Sequence, residues 1–187
     1  MESADVDLVV RSQAGDREAF AELVRRYQAR LFSFTCRILH DREEALDATQ
    51  EVFLRAYRAL GRYAPSQPFT SWLYTIANNL CIDLIRRRRI RALSLSAPLG
   101  EDETYQLEVP DNTNNPELLF ASRETQKAIE AAIASLPYKY RLVTVLRHIQ
   151  GLSYQEISSI TGQPEGTVKA QIFRARRILR EKLRDVG

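Results

Sequence analysis

No apolar run in this sequence approaches the length of a membrane span, and its first residues are acidic and polar, unlike a secretory leader. The expected location is the cytoplasm. Glycine and proline are scarce, seven of each in 187 residues, and they cluster between long periodic segments. That distribution favours an all-helical chain. Cysteine occurs twice, as Cys36 and Cys81, far apart and inside apolar helical stripes. Buried free thiols are expected there rather than a disulfide or a metal site. Histidine also occurs twice, His40 and His148, neither in a ligand-like cluster. No arrangement of residues proposes a catalytic site, a metal site or a bound cofactor.

What is present is apolar content and strongly segregated charge. A hydrophobic fraction of 44% supports sizeable cores, in one large domain or two small ones. The net charge of +3 hides two basic clusters. Arg86, Arg87, Arg88, Arg89 and Arg91 place five positive charges in six residues. Lys169 to Arg184 carries seven positive charges against one negative, Glu181. Between them, Ser94 to Ser122 holds six acidic residues and no lysine or arginine. Two basic surfaces separated by an acidic segment suggest two contacts with a polyanion.

The segment from Gly151 to Arg177 reads as two short helices joined by a tight turn. Ser153 and Glu156 have the spacing of a capping box, which satisfies two otherwise orphaned backbone donors. Ile157 and Ile160 give the first helix an apolar edge. Gly162 permits a left-handed turn residue, and Pro164 suits the start of a new helix. Val168, Ile172, Ala175 and Leu179 stripe the second helix. The remaining face carries Thr167, Lys169, Ala170, Gln171, Phe173, Arg174 and Arg177. A short helix crossing a second one with such a face is the geometry of a helix-turn-helix DNA reader. A helical hairpin with a solvated basic face is the competing reading.

Further helices are expected upstream. One runs from Asp5 to Ala14 and stops at Gly15. Asp16 caps the next, whose apolar positions Phe20, Leu23, Val24, Tyr27, Leu31, Phe34 and Ile38 follow three-four spacing. A third spans Asp41 to Leu60, with Ala45, Ala48, Val52, Phe53, Ala56, Tyr57 and Leu60 expected on its buried side. After a loop containing Pro65 and Pro68, a fourth carries Phe69, Trp72, Leu73, Ile76, Ala77, Leu80, Cys81 and Leu84 on one side. These helices form a first domain over residues 1–92. Residues 93–116 have the composition of a flexible acidic linker. Residues 117–187 form a second domain: a helix to Ser135, one from Tyr138 to His148, then the helix-turn-helix pair.

Three segments in this order, DREEALDATQEVFLRAYRAL, FTSWLYTIANNLCIDLIRRRR, and LPYKYRLVTVLRHIQGLSYQEI with GTVKAQIFRARR, resemble the bacterial sigma-70 family. The similarity covers nearly the whole chain and is to the extracytoplasmic-function (ECF) group of RNA polymerase sigma factors. It implies two helical domains, region 2 and region 4, and no catalysis by this chain. It also implies binding to core RNA polymerase, recognition of the promoter's −10 and −35 elements, and control by an anti-sigma factor. The implied polymerase contacts are the clamp helices of the largest subunit for region 2 and the flap of the other large subunit for region 4.

Residues follow motif by motif. In the first, Asp47, Gln50, Glu51 and Leu54 recur at three-four spacing away from the apolar stripe. An apolar residue ringed by polar ones suits a protein interface, and the resemblance places the polymerase there. In the second, aromatic and amide side chains precede a basic run, the chemistry that holds single-stranded nucleic acid. The resemblance puts Tyr74 and Asn79 at capture of an unstacked −10 base. Trp72 and Asn78 stand beside them, and Arg86, Arg87, Arg88 and Arg89 are expected on phosphate. In the third, Thr167, Lys169, Ala170, Gln171, Phe173, Arg174 and Arg177 fall at the −35 element. There the chain departs from a common pattern of Ser then Arg, which Ala170 and Gln171 replace. Alanine can touch a thymine methyl and glutamine can pair with adenine. Ser158, where alanine is usual, is expected only to alter packing between the two helices. A stand-alone helix-turn-helix regulator and a purely protein-binding helical adaptor remain as alternatives.

Overall fold

The computed structural model describes residues 2–64, 68–94 and 116–184, with side chains placed for 5–64, 68–92 and 124–184. Every regular element among them is helical. Most of the expected linker, residues 95–115, and Pro65 lie outside the described residues.

The first domain is built from α1 (Glu2–Gln13), α2 (Arg17–Leu39), α3 (Arg42–Ala59) with a short 3-10 turn after it (Leu60–Arg62), and α4 (Phe69–Ser94). Local chemistry sets the starts and stops. Asp16 accepts from the amides of Glu18 and Ala19, capping α2, and Arg11 grips the same carboxylate at 2.7 Å. At the other end of α2, His40 adopts a left-handed conformation with φ 55°. Asp41 then caps α3 through the Glu44 amide. Gln13 ties α1 to the end of α3 by donating to the carbonyls of Leu60 and Tyr63. Leu23, Leu31, Phe34, Val52, Leu73 and Ala77 are fully enclosed where α2, α3 and α4 meet. Tyr57 departs from expectation. It is 49% exposed, with its ring edge-on to Phe20 at 4.9 Å rather than in the core.

The second domain comprises α5 (Pro116–Ala134), α6 (Tyr138–Thr144), α7 (Tyr154–Thr161) and α8 (Glu165–Lys182). The helix expected from Tyr138 to His148 changes character midway: after Thr144 it continues as a π-helical turn, Val145–Ile149. The wider turn reaches Gln150, whose amide donates to the Val145 carbonyl at 3.0 Å. Ser153 and Glu156 make the expected capping box at the start of α7. Gly162, at φ 66°, supplies the left-handed turn before α8. Val168, Ile172 and Ala175 bury the inner side of α8.

The two domains are packed against each other, and one apolar cluster runs through both. Polar groups fasten the joint. Tyr74 Oη donates to Gln150 Oε1 at 2.7 Å, and Gln150 Nε2 donates to the Arg30 carbonyl at 3.2 Å. Arg30 answers by donating to the Gln150 carbonyl at 2.8 Å. Tyr138 Oη donates to Asn78 Oδ1 at 2.9 Å. Arg37 and Glu130 form an ion pair at 2.6 Å with side chains only 10% and 13% exposed.

Candidate nucleic-acid interface

The outer side of α8 is open and basic. Thr167, Lys169, Ala170, Phe173, Arg174 and Arg177 are all exposed, as the stripe spacing requires once Val168, Ile172 and Ala175 face inwards. Phe173 stands 71% exposed. Arg174 and Arg177 have no ion-pair partner among the described residues, and neither does Arg176, which sequence reasoning left out. Lys169 is braced at 3.5 Å from Glu165, and its ammonium lies over the Tyr154 ring. Arg147 stacks on the same ring at 4.7 Å, so Tyr154 links the π turn to the second turn of α8.

A cleft of about 320 Å³ opens beside this face, lined by Lys139 and Tyr140 of α6 and by Gly166, Thr167, Ala170, Gln171 and Arg174 of α8. Lys139 and Tyr140 were not legible as part of a site. Only the crossing of α6 over the start of α8 brings them there. Gln171 is not on the open face. It is half-buried, with Nε2 donating to Gln163 Oε1 at 2.7 Å. Ser158 does more than alter packing, because its hydroxyl donates to the Gln163 carbonyl and ties the turn to α7.

The second basic surface is the C-terminal half of α4. Asn79, Arg86, Arg87 and Arg89 are exposed and form one continuation of that helix. The other residues expected there are drawn elsewhere. Tyr74 is fully buried, edge-on to Phe34 at 5.2 Å and bonded to Gln150. Burial pushes its hydroxyl pKa well up, so it stays a neutral donor. Asn78 is 5% exposed beneath Tyr138. Trp72 is half-buried in an aromatic cluster with Tyr63 and Phe69, at 4.9 and 5.6 Å. Arg88 turns back to the protein: it donates to the Leu39 carbonyl at 2.9 Å and pairs with Asp41 and Glu44. Its charge thus closes the end of α2 onto the acidic start of α3. Tyr74 and Asn78 are enclosed because α4 is covered by α2 and α3 on one side and by the second domain on another.

On α3, Asp47, Gln50 and Leu54 are exposed and Glu51 is half-exposed. Arg55 donates to Glu51 at 2.7 Å and holds its carboxyl below the usual range. Leu46, not singled out from sequence, and Tyr57, expected in the core, join Leu54 as exposed apolar groups on this side at 52%, 49% and 51%. The face is therefore an apolar strip edged by Gln50 and Glu51, larger than the spacing of polar residues suggested.

No cluster of His, Cys, Asp or Glu able to hold a metal exists among the described residues, and no helix among them is long and apolar enough to cross a membrane. Cys36 and Cys81 are free, buried thiols.

Residues 23–90 match the family model for Sigma-70 region 2, and residues 126–179 match that for Sigma-70, region 4. The ECF RNA polymerase sigma factor SigW of Bacillus subtilis is 38% identical over 174 residues, covering 92% of each chain. The ECF RNA polymerase sigma-E factor of Escherichia coli is 37% identical over 180 residues, covering 96% of this chain and 94% of that one. The RNA polymerase sigma-H factor of Pseudomonas aeruginosa is 34% identical, covering 96% and 93%. Among solved structures, CnrH in complex with the cytosolic domain of CnrY superposes with a TM-score of 0.71 at 26% identity, covering 97% of both chains. The sigma factor RpoE of Bartonella quintana, solved with the anti-sigma factor NepR, superposes with a TM-score of 0.70 at 21% identity and shares the fold.

Proposed function

Since the chain belongs to the sigma-70 family of RNA polymerase sigma factors, in its ECF group, we propose how its surfaces divide the work of promoter recognition. The open face of α8 reads the −35 element, with Thr167, Lys169, Ala170, Phe173, Arg174 and Arg177 in the major groove. Lys139 at the mouth of the neighbouring cleft holds backbone phosphate. Asn79 with Arg86, Arg87 and Arg89 engages the −10 strand. Asn78 joins them once Tyr138 releases it, whereas Tyr74, Trp72 and Arg88 hold the scaffold. The strip of Leu46, Gln50, Glu51, Leu54 and Tyr57 on α3 docks on the clamp helices of the polymerase's largest subunit, and region 4 contacts the flap. An anti-sigma factor holds the chain inactive; the similar chain CnrH is solved in complex with the cytosolic domain of CnrY.

The observation that carries this reading is the pairing of two separate exposed basic surfaces, on α8 and on the end of α4, in one chain. Each surface alone makes few contacts, largely electrostatic, so each alone binds weakly. Mounting both on one polymerase raises their effective concentration for a single promoter. Footprinting tests the proposal. Chain plus core polymerase should protect two separated promoter elements, and chain alone should protect neither at the same concentration. Tight specific protection by the chain alone would instead make it a stand-alone regulator.

A further inference from the structure

The turn between α7 and α8 contains a relay of side chains that the promoter reading leaves unused. Ser158 fixes the Gln163 carbonyl, and the Gln163 side chain accepts from Gln171 Nε2 at 2.7 Å. The other amide atom of Gln171, Oε1, is sealed from solvent and has no hydrogen-bond partner. The Gln171 amide is thus turned off the outer face of α8, one atom bonded and the other enclosed. Ala170 and Phe173 hold that outer face with no glutamine between them and solvent.

We infer that Gln163 is a specificity-setting positioning residue for the −35 contact: it keeps the Gln171 amide away from base edges, so that Ala170 and Phe173 meet the groove as an apolar pair. The inference rests on the −35 reading above. A buried acceptor without a donor is unfavourable, and the bond to Gln163 is what offsets it. Without that bond, both amide atoms of an inward Gln171 are unpaired, and the side chain turns outwards. Apolar contact favours the thymine methyl, whereas a free glutamine amide pairs with adenine through two hydrogen bonds. One recognition helix therefore carries two base preferences, and the acceptor at position 163 selects between them.

The test is binding of holoenzyme, the full chain on core polymerase, to promoters with a randomised −35 element. Gln163→Ala is expected to raise adenine preference at one base pair by about fivefold or more. Gln171→Ala alone should leave every position within about twofold of the unmodified chain. The double variant should return to the unmodified profile, which mere loosening of the turn would not do. An unchanged Gln163→Ala profile, or loss of base preference in Gln171→Ala alone, overturns the role of Gln163. A profile flat at every position in the unmodified chain overturns the −35 reading itself.

Discussion

Arg88 and Arg174 carry the same charge and differ in what surrounds them. Arg174 stands exposed on α8, and its replacement by alanine should cost about 1–3 kcal/mol at a cognate −35 site. Binding to cognate and random duplexes decides its role, since equal loss on both would make it a phosphate contact. Arg88 pairs with Asp41 and Glu44 at the protein's own helix ends. Arg88→Ala should lower folding stability by about 1 kcal/mol, read by denaturant melting, while leaving phosphate contacts in place. On α3, Glu51→Arg reverses a charge at the rim of an exposed apolar strip without touching the core. Affinity for core polymerase should fall by about tenfold or more, with helicity unchanged by circular dichroism; unchanged affinity would remove α3 from the polymerase contact. The cysteines illustrate burial acting on chemistry. Burial pushes the Cys81 thiol up to about 12, and Cys36 upwards too, so both stay protonated and unreactive near neutral pH. A thiol reagent at pH 8 should label native protein slowly and unfolded protein at both sites. Rapid labelling of the native chain would contradict their burial.

At the scale of the element, periodicity served where one side of a helix packs and the rest is wet, and failed where a second domain covers part of the other side. The stripes of α2 and α8, most of that of α3, the caps of α2 and α3 and the turn at Gly162 follow from local chemistry, and the structure carries them. The α7 cap can be tested directly. Ser153→Ala removes the acceptor for the Glu156 amide and should destabilise the second domain by about 1 kcal/mol, measured by urea unfolding. On α4, Tyr74 and Asn78 look like the polar side of an amphipathic helix, and the sequence gives no local sign that another domain covers that side. For the same reason Lys139 and Tyr140 were invisible as neighbours of the recognition helix, because their place depends on a helix crossing rather than on spacing. The exposed Tyr57 errs in the opposite sense: Ala56 and Leu60 on either side of it are buried, and Tyr57 sits one step round the helix from them, on the side of Leu46 and Leu54.

At the scale of the molecule, the decisive feature is the joint between the domains. Its bonds join Gln150 to Tyr74 and Arg30, Tyr138 to Asn78, and Arg37 to Glu130. Breaking the hydrogen bonds should cost about 1 kcal/mol each. Tyr138→Phe with Gln150→Ala should therefore speed hydrogen exchange in α4 and in residues 145–152 of the free chain, while α2 and α3 keep their protection. Identical exchange in both proteins would mean that the polar bonds do not hold the joint. The central claim, that one chain gives the polymerase its promoter choice through two surfaces, is tested most directly by run-off transcription with purified core polymerase on a broad library of genomic promoter fragments. The account predicts transcripts that start at defined promoters, require this chain, and disappear when either the −35 or the −10 sequence is scrambled. No promoter-specific transcript anywhere in such a library would contradict it.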